Sequence, residues 1–389
     1  MKLLYAPDTS DHPNWGCRFM GDWYRSALTG IGIAPARTVG SRWFFQQDMA
    51  VPAPATVAEL QACAESVRRG QVLTQVAATL AGCDLLFMNG ENFIRPGTLK
   101  GRRLLMLAYL AKTQFAKPVV LTNLSLDLSE PALAELVANV LPLLDDVHVR
   151  EDASAAQYRA LVADARFRQF PDVAWTTAPA PVGEWGGLAL REGHFGAWPD
   201  KCPGFDAFRP YVTVSASSLF AQPEHARLDP SGAFVELCRR LAAEVAPVVL
   251  VASCEVDARI MRKVQAATGF PLLGLSLPVR QGIDVLGNAR VHVGGRWHPG
   301  IFAATGGTPL VAFDANNHKM ASLMRQLHPQ DPVFDPLRIG EGIEAIVAQV
   351  KRQAQGGEAL RERVLRRSRE LRAQVAGNLD FAKERLAKA

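Results

Sequence analysis

The chain alternates short apolar runs with longer segments of helical spacing, and this rhythm occurs twice. Strand candidates in the first half lie at residues 2–6, 84–89, 118–122 and 146–150, with helix-like segments such as 56–82 and 129–144 between them. The pattern dissolves in the Pro- and Gly-rich stretch 177–210 and resumes with apolar runs at 211–217, 248–253, 271–277, 289–295 and 309–314. Short buried strands separated by helices predict βαβ units around a parallel sheet.

Two such series predict an α/β protein with two Rossmann-like domains facing a cleft, the GT-B-like architecture, followed by a helical C-terminal tail. The length of 389 residues agrees with two domains that each have a core. We place the N-terminal domain at residues 1–180 and the C-terminal domain at 181–340. Basic helices, interrupted at Gly356 and Gly357, occupy residues 341–389.

The net charge of +5 belongs to the tail, because residues 351–389 carry a net charge of +6 and the remainder −1. This distribution argues against nucleic acid as a partner. The tail has two interpretations that the sequence leaves open. One is a solvated helix face with pairs such as Glu362–Arg366. The other is a basic surface that contacts anionic lipid near a lipid-linked substrate.

The six cysteines are scattered without a C-x-x-C pair, so the sequence suggests neither a disulfide framework nor a zinc site, and we expect no metal. No apolar run has the length of a membrane span, and the N-terminal apolar run, which is broken at Pro7 and Asp8, is too short for a secretory signal. We expect a cytoplasmic protein, with a peripheral position at the inner face of the membrane left open by the basic tail.

Ligands of doubly wound sheets bind beyond the carboxyl ends of the strands, so the residues that follow each strand are the candidates for a site. After the first strand, Asn14 and Arg18 flank Gly16, which would let backbone N–H groups approach a ligand. An ordinary turn explains the same residues. After the strand at 84–89, Asn89 and Glu91 surround a glycine, and Glu91 is a candidate general base or a solvated turn residue.

Arg150 follows the strand near residue 149 and either points toward a ligand or pairs with Glu151 or Asp152. The most informative stretch is 291–319. There Arg296 and His298 lie between a strand and a helix that begins near Pro299, where the helix dipole favours an anion. The next strand ends in a second group of donors, consisting of Asn316, His318 and Lys319. Two donor groups on consecutive strand ends predict a phosphate or carboxylate ligand.

The segment 294–319, "GGRWHPGIFAATGGTPLVAFDANNHK", resembles the R-x-H region of the polysaccharide pyruvyl transferase family. Three further segments agree in order and position, "NWGCR" at 14–18, "NGENFI" at 89–94, and "VREDAS" at 149–154 followed by "FPDVAW" at 170–175. The resemblance implies a GT-B-like fold and transfer of the pyruvyl group of phosphoenolpyruvate to sugar hydroxyls as a ketal. Phosphoenolpyruvate would be a co-substrate, and no cofactor is implied.

By this resemblance Arg296 and His298 bind the phosphate or carboxylate of the donor, while Asn14 and the Asn89–Glu91 turn face the acceptor. The acceptor would be a surface-polysaccharide or lipid-linked glycan precursor. Two residues depart from the family pattern, Phe93 in a usually glycine-rich turn and Trp297 between Arg296 and His298. Two other functions remain open at this point, a nucleotide-sugar glycosyltransferase on the same scaffold and a catalytically silent relative that binds a glycan.

Overall fold

The computed structural model describes residues 1–46, 50–190, 195, 205–225 and 227–388. By its internal contacts the chain divides into two compact units. The first unit comprises Met1–His12, Cys17–Val173 and Gln374–Ala389, and the second comprises Pro13–Gly16 and Ala174–Ala373. The predicted linker region 177–210 falls in the second unit, and its residues 191–194 and 196–204 lie outside the described part of the chain.

The first unit is built from strands that alternate with helices. Its strands are β1 (Leu3–Asp8), β2 (Arg37–Gly40), β3 (Leu85–Asn89), β4 (Val119–Leu124), β5 (Asp146–Val149) and β6 (Arg168–Gln169). Its helices are α1 (Trp15–Gly30), α2 (Ser41–Phe45), α3 (Val57–Arg68), α4 (Thr74–Ala81), α5 (Leu99–Thr113), α6 (Pro131–Val140) and α7 (Asp152–Leu161), joined near the C-terminus by α16 (Asp380–Ala387).

The described strands of this unit form one parallel sheet in the order β2-β1-β3-β4-β5-β6. Every residue of β1, β3 and β4 is buried, because helices cover both faces of the sheet. After β1 the chain passes to β2, at one edge of the sheet, and after β3 it passes to β4, toward the other edge. The crevice at the carboxyl ends of β1 and β3 is therefore the topological switch point, where ligands of such sheets bind.

The second unit repeats this construction. Its strands are β7 (Val212–Ser217), β8 (Val248–Val251), β9 (Leu272–Leu273), β10 (Val291–Gly295), β11 (Leu310–Phe313) and β12 (Val333–Phe334). Its helices are α8 (Val182–Trp185), α9 (Ser231–Glu244), α10 (Glu255–Thr268), α11 (Val279–Gly287), α12 (Trp297–Thr305), α13 (Lys319–Leu327), α14 (Ile339–Gln355) and α15 (Gly357–Gln374).

The second sheet is also parallel, with its described strands in the order β12-β11-β10-β7-β8-β9. This is the strand order of dinucleotide-binding Rossmann folds, and its switch point lies between β7 and β10. Each unit has its own apolar core on its own sheet and helices. The predicted fold class, two Rossmann-like domains followed by C-terminal helices, is confirmed.

The expected elements differ from the observed ones mainly at sheet edges and at one long helix. The segment 56–82 forms two helices, α3 and α4, because the chain turns at Gly70, whose φ of 70° is in the left-handed region. The tail breaks where expected, and Gly357 has a φ of 55°. Within the tail, Arg369 donates to Glu362 at 3.1 Å. In the described part of the chain, no helix is both long and apolar enough to cross a bilayer.

Candidate active site

Arg296 occupies the position between β10 and α12, at the switch point of the second sheet. It is the N-cap residue of α12, and its side chain is 11% exposed. Its Nε and Nη2 atoms donate to Oδ1 of Asp257 at 3.0 and 2.8 Å. Burial lowers the pKa of Arg296, but the Asp257 carboxylate outweighs burial and leaves that pKa above its ordinary value. The guanidinium is therefore charged and held in one orientation.

Asp257 is itself oriented by the end of β8. Its Oδ2 accepts hydrogen bonds from the backbone N–H and the hydroxyl of Ser253, at 3.3 and 3.0 Å. Cys254 follows as the N-cap residue of α10. Burial raises the pKa of its thiol to about 11, so this side chain is neutral near pH 7. The ends of β8 and β10 thus form one polar group centred on a buried ion pair.

His298 lies in the first turn of α12 and packs against the segment Pro13–Gly16. A Cβ atom added to Gly16 would lie 1.8 Å from His298 Nδ1, so the ring lies directly on the glycine backbone. On its other side the ring stacks on Phe302, with centroids 6.2 Å apart. Gly16 was expected to admit a ligand to the backbone. In the structure it admits the imidazole of His298, which gives the ring a defined position.

A second polar group lies at the ends of β7 and β11. Oδ1 of Asn316 accepts from Nζ of Lys319 at 3.0 Å and from the Ser218 hydroxyl at 3.1 Å. The Asn316 backbone N–H donates back to Ser218 at 3.2 Å. Lys319, the first residue of α13, is only 8% exposed. The predicted residues Asn316 and Lys319 are therefore joined by a hydrogen bond. His318 lies between them in the chain, as the N-cap residue of α13.

In the first unit, Glu91 lies at the switch point beside the end of β3 and is 3% exposed. Its Oε1 accepts from Asn89 Nδ2 at 3.1 Å, and its Oε2 accepts from Cys17 Sγ at 3.1 Å. The Thr9 hydroxyl, at the end of β1, lies 3.2 Å from Oε1. Glu91 has a φ of 41°, a left-handed conformation that is strained for a residue other than glycine. Such strain often accompanies functional positions.

Lys100 lies in the same part of the first unit, at the start of α5. Its Nζ is 4.9 Å from the ring centroids of both Phe45 and Phe93. These rings meet edge-on, with centroids 5.1 Å apart. Burial chiefly, and then the positive charge of Arg95, lower the pKa of Lys100 to about 8. Glu91 and the lysine are close enough for the carboxylate to oppose this shift.

The model of one protein family, polysaccharide pyruvyl transferase, matches residues 8–317 and so covers both strand-end groups. The chain belongs to the polysaccharide pyruvyl transferase family. No curated protein matches the chain.

Solved structures that resemble this polysaccharide pyruvyl transferase family member are distant in sequence. The spinosyn rhamnosyltransferase SpnG has 14% identity and a TM-score of 0.51, with 99% of this chain and 100% of that chain covered. TcCGT1 in complex with UDP has 11% identity and a TM-score of 0.53, with 99% and 98% covered. UGT89C1 of Arabidopsis thaliana, complexed with quercetin, has 10% identity and a TM-score of 0.53, with 98% of each chain covered. At these identities the likeness extends to the fold, which is of the GT-B type.

The predicted residues Arg150 and Asn14 also have structural partners. Arg150 donates to Asp172 at 2.6 Å and to the Ser125 hydroxyl at 2.7 Å, and its Nε lies 3.6 Å from Glu151. Of the two interpretations of Arg150, the structure shows the ion pair with Glu151, and it adds Asp172. Asn14 was expected on the acceptor side. It belongs to the second unit, where its Oδ1 accepts from the Gly16 N–H at 2.9 Å and caps α1.

The structure also explains Trp297 and Phe93, which depart from the polysaccharide pyruvyl transferase pattern, and the small residues around α12. Trp297 is 4% exposed and Phe93 is 1% exposed, so both rings are core residues. A Cβ on Gly306 would lie 2.1 Å from the Gly287 carbonyl oxygen, which shows that this small residue permits close packing of α12 on α11. Arg18 is half-buried on α1. Burial raises the pKa of the neighbouring Asp22, and the positive charge of Arg18 opposes part of this rise.

Sequence reasoning missed three residues of these groups, Asp257, Ser218 and Lys100. Ser218 directly follows β7, and Asp257 lies in the first turn of α10, the helix after β8. A search of every strand end that extended into the first turn of the next helix would have found both. Lys100 lies inside a helix, and its environment depends on the distant Phe45. Nothing in the local sequence signals that contact.

Proposed function

We propose that this chain transfers the pyruvyl group of phosphoenolpyruvate to a sugar hydroxyl and closes it to a ketal, with the donor bound in the second unit. The observation that carries this proposal is the position of Arg296 and His298 beyond the end of β10, at the switch point and at the N-terminus of α12. Membership of the polysaccharide pyruvyl transferase family supports the same reaction.

The chemistry of the donor suits this site. Phosphoenolpyruvate carries a phosphate and a carboxylate, and a charged guanidinium binds either group through paired N–H donors. Two N–H groups of Arg296 donate to Asp257, and these two hydrogen bonds fix the orientation of the guanidinium. The positive ends of α12 and α13 add to the attraction for an anion, and Lys319 at the start of α13 supplies a further cation.

The reaction requires four bond changes that acid–base groups assist. A proton adds to C3 of the enol, and a sugar hydroxyl oxygen bonds to C2 as it loses its proton. The C2–O bond to phosphate then breaks, and a second hydroxyl of the sugar closes the ketal with loss of its proton. His298 is the proposed acid at the donor, because imidazole exchanges protons near neutral pH. Arg296 stabilises the negative charge that develops on the departing phosphate.

The test begins with ligand binding. We expect phosphoenolpyruvate to raise the melting temperature of the protein, since a ligand that binds only the native state adds about 2.7 kcal/mol of stability at a hundredfold excess over Kd. UDP- and GDP-sugars are expected to leave it unchanged. Arg296→Lys should weaken the phosphoenolpyruvate effect at least tenfold in affinity, whereas Arg262→Gln, an exposed position on α10, should not.

Turnover supplies the second part of the test. Phosphoenolpyruvate is incubated with a panel of lipid-linked and nucleotide-linked sugars, and phosphate release is followed together with the mass gain of the acceptor. Phosphate release that depends on one acceptor, with a pyruvyl ketal on the product, supports the proposal. Stabilisation by a nucleotide sugar and not by phosphoenolpyruvate would instead assign the protein to glycosyl transfer.

A further inference from the structure

A groove in the first unit lies along the edge strand β2. Its volume is about 570 Å³, which is within the range of small-molecule sites. Strand β2 and the helices α2 and α4 supply most of its walls. We call it the β2 groove and define it by the polar and aromatic residues that line it, which include Asp11, Arg37, Arg42, Trp43, Gln75 and Thr79.

Two arginines of the β2 groove carry charges that its other lining residues do not balance. Arg37 and Arg42 are exposed, and Nε of Arg42 donates to the neutral amide of Gln46 at 3.2 Å. In the part of the chain that the structure describes, neither arginine is paired with a carboxylate. Asp11 is the one acidic residue of the lining, so the groove has a net positive charge. Guanidinium groups bind phosphates and carboxylates through paired N–H donors, and the groove therefore favours an anionic ligand.

The wall that carries Arg42 and Trp43 is fixed from beneath by Arg103 of α5. This side chain is 2% exposed, and its Nη1 donates to the carbonyl oxygens of Trp43 and Phe44, at 3.2 Å each, and of Gln46 at 2.7 Å. A buried arginine thus binds the end of α2 through backbone oxygens alone. The backbone of Trp43 is held before any ligand arrives, which lowers the entropy cost of binding.

The remaining lining residues suit a sugar ring. Trp43 is half-buried, and its indole offers a flat apolar surface to the C–H face of a sugar. Gln75 and Thr79 are one turn apart on the same face of α4. The Thr79 hydroxyl donates to the Gln75 carbonyl oxygen at 2.8 Å, and its own oxygen can accept from a ligand hydroxyl. With Asp11, these residues provide both donors and acceptors for sugar hydroxyls.

We propose that the β2 groove binds a sugar residue that carries a negatively charged group, either a phosphate or a carboxylate. Arg37 and Arg42 bind the anionic group, and the indole of Trp43 packs against the ring. This site goes beyond the proposed function, because binding there requires neither phosphoenolpyruvate nor transfer. In the proposed reaction the groove holds part of the acceptor glycan, and this role alone rests on the proposed function.

The experiment measures binding to the full-length protein by isothermal titration calorimetry, without phosphoenolpyruvate. The probes are glucose 6-phosphate, N-acetylglucosamine 6-phosphate and glucuronic acid, with glucose, N-acetylglucosamine and inorganic phosphate for comparison. We expect at least one anionic sugar to bind about tenfold more tightly than its neutral parent and than inorganic phosphate. The tightest of the three identifies the anionic group as phosphate or carboxylate. No binding of any anionic sugar, or equal binding of the neutral parents, would overturn the proposal.

A double variant tests the two arginines. Arg37→Gln with Arg42→Gln removes two charges at exposed positions, so the protein should fold and its affinity for the anionic sugar should fall at least about tenfold. Arg68→Gln with Arg69→Gln is the matched control, since both arginines are exposed at the end of α3 and pair with Glu65 outside the groove. The control should stay within twofold of the wild type. An equal loss in both double variants would assign the effect to net charge and overturn the proposal.

Two further variants separate the sugar from the anion and the groove from the donor site. Trp43→Leu should lower the affinity for the anionic sugar toward that for inorganic phosphate, and an unchanged preference for the sugar would contradict the role of the indole. Arg296→Lys should keep the wild-type affinity for the anionic sugar, because Arg296 belongs to the second unit. A loss there would show that the probe occupies the donor site, and would overturn the proposal.

The proposed function and this inference can fail separately. If phosphoenolpyruvate does not stabilise the wild type but the anionic sugar binds and depends on Arg37 and Arg42, the proposed function is wrong and the groove is confirmed. If phosphoenolpyruvate stabilises both the wild type and the Arg37→Gln, Arg42→Gln variant equally, the variant is folded with an intact donor site. An unchanged affinity of that variant for the anionic sugar would then overturn the groove alone.

Discussion

Both Nε and Nη2 of Arg296 donate to a single oxygen of Asp257, at 3.0 and 2.8 Å, while the other oxygen of that carboxylate accepts from Ser253. Arg296 directly follows β10, and Asp257 lies in the first turn of α10, the helix after β8. Strands β10 and β8 flank β7 in the second sheet. The ion pair therefore spans the switch point. It fixes the position of the guanidinium, and the positive charge of Arg296 balances the negative charge of the buried Asp257 carboxylate.

Arg296→Gln should destabilise the protein as well as weaken donor binding. The substitution leaves the buried carboxylate of Asp257 without a cation, and breaking a buried ion pair in this way costs about 3–5 kcal/mol. Asp257→Asn in the same chain should restore most of the free energy of unfolding but none of the affinity for phosphoenolpyruvate. Urea unfolding of the wild type, both single variants and the double variant measures the coupling. A single Arg296→Gln variant as stable as the wild type would contradict this prediction.

Gly16→Ala should displace His298. The new Cβ would lie 1.8 Å from Nδ1 of the ring, so the imidazole has to move, and displacement of a catalytic group by about 1 Å can cost 10²-fold in rate. We expect kcat for phosphoenolpyruvate-dependent phosphate release to fall by about 10²-fold. Gly30→Ala is the matched control, since it is on the same helix and its Cβ would meet no atom within 4 Å. Equal rates in the two variants would mean that His298 has no part in the reaction.

Acid should destabilise the protein partly through His292. This histidine is buried in β10, and burial lowers its pKa to about 3. Above pH 6.5 both the folded and the unfolded chain hold it neutral. Between pH 6.5 and 3 only the unfolded chain takes up the proton, so the free energy of unfolding falls as the pH falls, by up to about 1.4 kcal/mol per pH unit. His328, with a pKa of about 4, adds to the slope.

The variant His292→Gln should therefore lose part of the pH dependence of unfolding in this window, whatever its stability at pH 7. Urea unfolding at several pH values between 3 and 7 provides the slope. His225→Gln, at a half-buried position in the same unit, is the control and should keep the wild-type slope. An unchanged slope in His292→Gln would show that His292 does not carry the acid sensitivity.

Asn378→Ala should destabilise the first unit. The side chain of Asn378 is fully buried, accepts from the Thr122 hydroxyl at 2.6 Å, and donates to the carbonyl oxygens of Pro171 and Val375 at 3.2 and 3.0 Å. Removing it takes the donor from two carbonyl oxygens and the acceptor from the Thr122 hydroxyl, which keeps its contact with His148 at 3.0 Å. A buried polar group left without a partner costs about 1–3 kcal/mol. Asn139→Ala, at an exposed position on α6, should change the free energy of unfolding by less than about 0.5 kcal/mol.

The buried strands could be predicted because apolar, β-branched runs bounded by turns are typical of buried strands. The edge strands β2, β6 and β12 have two to four residues each and carry no such signal. Their pairing comes from the neighbouring strand and not from their own composition. The turn at Gly70 that divides α3 from α4 was missed for a related reason, since helical spacing continues on both sides of it.

The candidate site was predictable where strand ends supply the side chains. Arg296, His298, Asn316 and Lys319 lie immediately after strands that the sequence pattern located. The partner of Arg296 is a residue 39 positions away, and only the sheet order brings β8 near β10. Lys100 depends on Phe45, which belongs to a five-residue helix. Contacts of this kind depend on the tertiary structure, and they cannot be inferred from the pattern of a single sequence.

Residues 374–389 belong to the first unit, and this affects the order in which the two units can be completed during translation. Residues 374–389 complete a unit whose other residues are translated before most of the second unit, and the hydrogen bond from Thr122 to Asn378 forms only with that segment. The second unit, apart from Pro13–Gly16, is one continuous stretch that ends at residue 373. On the ribosome, the unit that is translated second can therefore be completed first. The first unit is complete only after residues 374–389 have been synthesised, because Asn378 of that segment hydrogen-bonds Thr122.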